Sequence, residues 1–297
     1  MNTDVKLLGY ASGIASNNVD TGLAPWYMQY HNELLQTLPF STSWLELVAS
    51  FSLKRKLDAL TEITELNHKL AQQVTMLVKQ HENFCVIGGD HSCAIGTWSG
   101  VVNAYRQQGD IGLIWVDAHM DSHTSETSHS QNIHGMPLAH LLGAGFESLH
   151  ALLDATPKLK SENICLIGIR SYQEGERQFL GNLGVKIIFM DEVLEKGFNT
   201  VFAEALAHVS RTTIGVGLSI DLDAIDPQDA PGVGYREANG IRAAELLSTL
   251  ANLSTAIPLL GLEIAEYNPL RDEKQKTAKL IVEIIRAVYA PRLAKSM

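Results

Sequence analysis

Three short segments concentrate the side chains best suited to holding a metal. Asp117, His119 and Asp121 occupy every second position of D-A-H-M-D, Asp221 and Asp223 repeat that spacing in S-I-D-L-D, and His91 follows two glycines in G-G-D-H-S. On an extended backbone alternate side chains share one side, so each set is expected to converge. Carboxylates crowded at the end of a buried strand repel one another and lose solvation unless a cation neutralises them. Four carboxylates can neutralise two divalent cations. With His91 and His119 they form a mixed nitrogen–oxygen donor set that suits Mn2+, Co2+, Fe2+ or Zn2+ better than Ca2+, and no cysteine is placed for a soft site. Any one segment is compatible with a surface loop or a capped turn. Their recurrence at three strand ends points to a binuclear centre of the kind that activates water.

The elements that must position these residues alternate in type. Apolar runs predict strands at Val5–Gly9, Phe84–Ile87, Ile111–Val116, Ile164–Ile167, Val185–Met190, Ile214–Asp223 and Pro258–Glu263. Helical spacing predicts helices over Pro25–Leu38, Leu53–Val78 and Ala94–Tyr105, from about Glu174, and near Phe198–His208, Ala243–Leu253 and Lys274–Ala290. Thr124–Gly135 is left as a long polar loop. Such alternation predicts an α/β fold of three layers, α/β/α, around a mostly parallel sheet. No repeat or linker divides residues 1–297, so one domain is expected. In such sheets ligands bind beyond the carboxyl ends of the strands. That rule gathers Gly88–Ser92, Asp117–His123, Ser219–Asp226 and Glu263–Asn268 around one crevice.

G-G-D-H-S, D-A-H-M-D and S-I-D-L-D-A-I-D-P resemble the three signature segments of the ureohydrolase family, which includes arginase and agmatinase. The match runs in order over nearly the whole chain. It implies an arginase-like fold and two Mn2+ per subunit, with Co2+ or another divalent ion as the alternative. By position, His91 and Asp121 serve one metal and His119 and Asp223 the other, while Asp117 and Asp221 bridge. The resemblance also makes His134 a proton shuttle and gives Glu266 the guanidinium to orient through charge-assisted hydrogen bonds. Ser130 matches a serine that contacts a substrate α-carboxylate, and Glu176 an acidic residue near an α-amino group. His123, taken as a further substrate contact, stands where asparagine is usual, and Gln173 where an aspartate reads the amino group. The loop Ala230–Tyr235 lacks the usual threonine. Asp90 and Asp226 fit ligand-orienting or turn-capping roles.

The implied reaction is hydrolysis of L-arginine to L-ornithine and urea. Agmatine, a guanidino acid or formiminoglutamate are the alternative substrates. A non-catalytic relative would be expected to have lost ligands, and all six are present. Composition agrees with a small cationic substrate. The 297 residues are 45% hydrophobic and 19% charged with a net charge of -10, which argues against a nucleic-acid partner. No apolar run reaches membrane-spanning length and no signal peptide is visible at Met1–Tyr10. Cys85, Cys93 and Cys165 suit buried thiols in a reducing cytoplasm. A homo-oligomer, trimer or hexamer, is expected by resemblance.

Overall fold

The computed structural model describes residues 4–294. Nine strands are joined in one sheet: β1 (Asp4–Ala11), β2 (Ser41–Trp44), β3 (Val48–Ala49), β4 (Asn83–Gly88), β5 (Gly112–Val116), β6 (Ile164–Ile169), β7 (Lys186–Phe189), β8 (Val216–Asp221) and β9 (Leu259–Ala265). Their spatial order is β2-β1-β4-β9-β8-β5-β6-β7, with β3 also on β1, and every pairing is parallel. Apolar runs such as G-L-I-W-V suit this arrangement, because a strand covered on both faces needs apolar side chains at odd and even positions alike. In β5, Ile114 and Val116 join one core and Leu113 and Trp115 the other. The first core is closed by helices including Phe198–Val209, Ala243–Ala251 and Lys276–Ala294. The second is closed by Leu60–Lys79 and Cys93–Tyr105. The expected three-layer α/β/α architecture is the one observed.

Topology fixes where chemistry can occur. β4 and β5 follow one another among the strands of the chain, yet β9 and β8 lie between them. The chain therefore inserts its last two strands into its own centre. Four adjacent parallel strands then end side by side at the point where strand order reverses, which is where open α/β sheets leave a crevice.

The departures from expectation have local causes. The helix predicted from Leu53 begins as an α-helix only at Leu60. Residues before it include a 3-10 turn at Lys56–Ala59, and Lys56 has φ 55°. The stripe Ile63, Leu66, Leu70, Val74 and Leu77 is buried as expected, whereas Leu57 is partly exposed. The helix predicted over Pro25–Leu38 is two short helices, Ala24–Tyr30 and Asn32–Leu35, interrupted where His31 takes φ -93°, ψ 44°. Val185–Met190 yields its last residue to a helix, Met190–Lys196. β2 lacks an apolar signal because it is a polar, partly exposed strand, S-T-S-W, at the margin of the sheet, and β3, Val48–Ala49, is too short to show one.

One packing detail links the helical layer to the crevice. A Cβ on Gly100 would stand 2.6 Å from the Ala71 carbonyl oxygen, so glycine lets helices Cys93–Tyr105 and Leu60–Lys79 meet backbone to backbone. In that contact buried Asn67 accepts the Gly96 N–H at 2.8 Å and donates to the Tyr10 hydroxyl at 3.2 Å. Tyr10 in turn lies 3.2 Å from Ser92 Oγ in the G-G-D-H-S turn.

Candidate active site

The G-G-D-H-S turn follows β4. A Cβ on Gly89 would fall 2.0 Å from the Ser12 carbonyl oxygen, so this position must be glycine for the turn to lie against the end of β1. Asp90 accepts the backbone N–H groups of Ala15 and Ser92 and binds the Ser92 hydroxyl. It holds the turn and belongs to neither group of candidate metal ligands. Asp226 likewise accepts the Gln228 N–H at 2.9 Å.

His91 is thereby presented to the ends of β5 and β8. Its Nδ1 lies 3.3 Å from Asp117 Oδ2, 3.1 Å from Asp121 Oδ2 and 3.1 Å from Asp221 Oδ2, and all four residues are buried. A second group forms beside it: His119 Nδ1 is 3.6 Å from Asp117 Oδ1 and 3.1 Å from Asp223 Oδ2. Within each group the candidate ligand atoms lie within 4.8 Å of one another. Asp117 belongs to both, one oxygen to each. Asp221 joins the first group, while its Oδ1 accepts the Asp223 N–H at 2.8 Å.

The donor set fits divalent metal. His91 Nδ1 and Asp121 Oδ2 are buried and make no hydrogen bond although they face each other, an arrangement that costs free energy unless a cation takes both lone pairs. Titration behaviour agrees. Burial, reinforced by the charge of Asp117, pushes Asp121 up to about 7. Burial, with Asp223 and Asp117 nearby, also raises Asp221 well above the usual carboxylate range. Burial alone would lower His91, but the carboxylates of Asp117, Asp121 and Asp221 close around its Nδ1 outweigh it and raise it. Such a cluster stores protons that a cation can replace.

The residues converge by a different route from the one their spacing suggests. β5 ends at Val116, and residues 117–121 are not extended. Asp117 Oδ1 accepts the His119 N–H at 2.6 Å, an Asx turn, and Asp121 sits at φ 46° in the left-handed region, which aspartate tolerates better than most residues. Asp221 closes the same kind of turn onto Asp223. The period of two therefore reflects paired turns at strand ends.

A cavity of about 370 Å³ opens onto both groups and is lined by His119, Asp121, Asp221 and Asp223 at one side and by His123, Ser130, His134, Gln173, Glu176 and Tyr235 among others. This is at the small end of ligand pockets. His134 Nδ1 is 3.0 Å from Glu266 Oε1, and its ring stacks on Tyr235 at 5.8 Å between centroids. Burial alone would lower the His134 pKa, but Glu266, with Asp121 and Asp90 behind it, pushes it up to about 9. Glu266, at φ 67°, also accepts the His91 N–H through Oε1, leaving its buried Oε2 without a hydrogen bond. Ser130 accepts the Asn132 N–H through its hydroxyl at 3.2 Å. Glu176 is fully engaged: it accepts from Ser122 and Gln173 backbone N–H groups and lies 3.2 Å from His123 Nε2. His123 Nδ1 meets Thr127 Oγ1 at 3.0 Å.

Sequence reasoning missed several supporting residues. Trp115 donates its indole N–H to Asp117 Oδ2 at 2.8 Å and stacks on the His91 ring at 4.2 Å. Glu237 approaches His119 Nε2 at 3.5 Å. Arg170 donates to the carbonyls of Asp223, Ala224, Glu237 and Ala238, tying two site loops together. Trp115 was visible as the one indole two residues before the first aspartate. The other two connections join loops distant in sequence and carry no local signal.

Fold and site together define a three-layer α/β protein with two adjacent groups of candidate metal ligands beyond the strand ends. The model for the arginase family matches residues 3–290. Arginase from Bacillus caldovelox is 42% identical over 238 residues, which cover 80% of this chain and 79% of that protein. Arginase from Brevibacillus brevis is 36% identical over 300 residues, covering 99% and 100% respectively. The solved native structure of the Bacillus caldovelox arginase superposes with a TM-score of 0.90 at 37% identity, over 97% of this chain and 98% of that one. The chain belongs to the arginase family.

Proposed function

We propose that this chain is a binuclear manganese hydrolase that cleaves the guanidinium group of L-arginine to give L-ornithine and urea. The observation that carries the reading is the shared Asp117 carboxylate, which offers one oxygen to each candidate metal group beside a cavity lined by His134, whose Nδ1 is paired with the buried Glu266. Family membership, with arginases at 36% and 42% identity, supports the same substrate. His91, Asp117, His119, Asp121, Asp221 and Asp223 would hold two Mn2+, to which a carboxylate-rich set is suited; Co2+ is the alternative. When bound, the ions supply the Lewis acidity that makes water nucleophilic near neutral pH.

The chain's own residues do the rest. A guanidinium carbon is a poor electrophile because its charge is delocalised, so the substrate must be held and the leaving nitrogen protonated. Glu266, with one oxygen unengaged by hydrogen bonds, presents a negative partner for the guanidinium. His134 holds a proton on a ring whose Nδ1 is tied to Glu266, leaving Nε2 to deliver a proton to the departing amine. Ser130 and His123 line the same cavity, where a substrate carboxylate would be received.

Glu176 favours a second reading of the substrate. Its carboxylate is already paired with His123 and two backbone N–H groups, and Gln173 beside it is neutral. A guanidino acid without an α-amino group would lose little in this cavity. The deciding experiment is urea release by the Mn2+-loaded protein offered L-arginine, agmatine and 4-guanidinobutyrate separately. Urea from L-arginine is expected. Urea from another compound alone would replace the substrate, and none from any would overturn the hydrolytic reading.

Metal uptake is expected to depend on pH. Asp121 and Asp221 have raised pKa values and His91 is raised as well, so the metal-free cluster binds more protons than the loaded one. Linkage then makes apparent Mn2+ affinity rise as pH rises through 7, by about tenfold per unit for each proton released. Calorimetric titrations at pH 6, 7 and 8 would measure this, and a constant affinity would contradict it. We read residues 1–297 as one domain, because a single sheet draws strands from both ends of the chain. A cytoplasmic location fits the three free, buried cysteines, and no helix among the described residues is long and apolar enough to cross a membrane. A trimer or hexamer is the expected assembly.

A further inference from the structure

We infer that Glu263 and Ser219 form a buried relay that fixes the tautomer and orientation of His91, making them positioning residues for the metal group around that imidazole. The inference rests on the binuclear reading above. Ser219 and Glu263 are direct cross-strand partners in the β8–β9 register, so both side chains leave the same face of the sheet. His91 Nε2 lies 2.9 Å from Ser219 Oγ, and the Ser219 hydroxyl donates to Glu263 Oε1 at 2.8 Å. All three residues are 0% exposed.

With Glu263 ionised, the hydrogen-bond directions follow. Serine has one hydroxyl hydrogen, and it goes to the carboxylate. Oγ can then only accept from the imidazole, so Nε2 carries a ring hydrogen and, in the neutral ring that ligates metal, Nδ1 keeps its lone pair. Nδ1 is the atom surrounded by Asp117, Asp121 and Asp221. Glu263 cannot do this directly, because its Oε1 is 3.7 Å from Nε2. The ring plane is set independently by stacking on Trp115, tilted by 20°.

Thr97 and Trp98 also approach Glu263, but neither touches the candidate ligands. Glu263 sits within the buried run L-L-G-L-E-I-A of β9, does not line the active-site cavity, and a carboxylate at such a position carries a large desolvation cost. Outer partners of this kind keep a ligating histidine in register and raise its basicity, and losing one commonly weakens metal binding by about 10–100-fold.

The test is a two-site Mn2+ titration with the melting temperature of the metal-free protein measured alongside. Ser219→Ala is expected to weaken one of the two Mn2+ per subunit by about 10–100-fold while the other keeps its affinity. Ser219→Thr, which retains the hydroxyl, should restore the weakened site. A role in packing alone would lower the melting temperature without separating the two sites, and would overturn the relay. Should Ser219→Ala not fold, Glu263→Gln replaces it. The neutral acceptor should cost the same site about threefold or more, since bonds to a charged acceptor are about twice as strong. Asp117→Ala serves as the control. If it loses metal while Ser219→Ala and Glu263→Gln keep both ions at full affinity, the relay fails. If Asp117→Ala itself keeps both, the binuclear reading fails.

Discussion

Replacing Asp117 with asparagine is expected to empty both metal positions and to lower kcat/KM by at least about 1,000-fold, since water activation is lost with the ions. Among the six proposed ligands, Asp117 is the one whose two oxygens fall in both groups. It is also the most firmly held, by the Trp115 indole N–H on Oδ2 and the His119 backbone N–H on Oδ1. Burial would raise its pKa, but His119 and His91 outweigh that, so the carboxyl lies well below the usual range and stays ionised. An asparagine in this setting loses the charge and turns an NH2 group towards one of the existing donors, Trp115 or the His119 amide. Donor then faces donor, and the group left pointing at the neighbouring position cannot bind a cation. Asp223→Asn provides the contrast, because Asp223 belongs only to the group around His119, so one ion should survive. Metal per subunit after desalting, read together with urea release, checks both variants. Asp117→Asn protein that retains two ions would end the shared role.

How these residues meet was legible only in part. The six candidate ligands stood out because charged side chains interrupt apolar strands, and such interruptions are costly without a function. The crevice followed from the rule that parallel strands end together. What the spacing could not reveal was the turn chemistry. Asp117 and Asp221 each fold back onto the amide two residues on, so the apparent alternation of a strand is an Asx turn in both places. Ser219 and Glu263 show a further limit. Each is visible as a polar residue in an apolar run, yet their pairing depends on β8 and β9 lying side by side, which a strand order with late insertion does not announce. The His123–Glu176 contact has the same origin. The match to the family motif suggested that Glu176 faces an amino group, whereas the packed structure ties it to the helix start it caps and to the histidine that replaces asparagine.

His134→Ala is expected to lower kcat by about 100- to 10,000-fold, the usual worth of a positioned proton donor, while two Mn2+ remain bound and KM changes little. The geometry separates this residue from the metal cluster. Its Nδ1 is committed to Glu266, its backbone N–H donates to the Ala15 carbonyl, and its ring rests on Tyr235. None of these contacts is to a proposed ligand, so truncation should leave the metal groups standing. With its pKa pushed up to about 9, chiefly by Glu266 against the opposing effect of burial, the ring is protonated at pH 7 to 8 and ready to donate. A donor loses its proton as pH climbs past its pKa, so wild-type kcat should decline above about pH 9. His134→Ala, having no such group, should lack that alkaline limb while keeping any acidic limb set by metal uptake. Rate profiles from pH 7 to 10, with metal content measured at each point, would show this. An unchanged alkaline limb in the variant would assign the proton to another group, and loss of metal would make His134 structural.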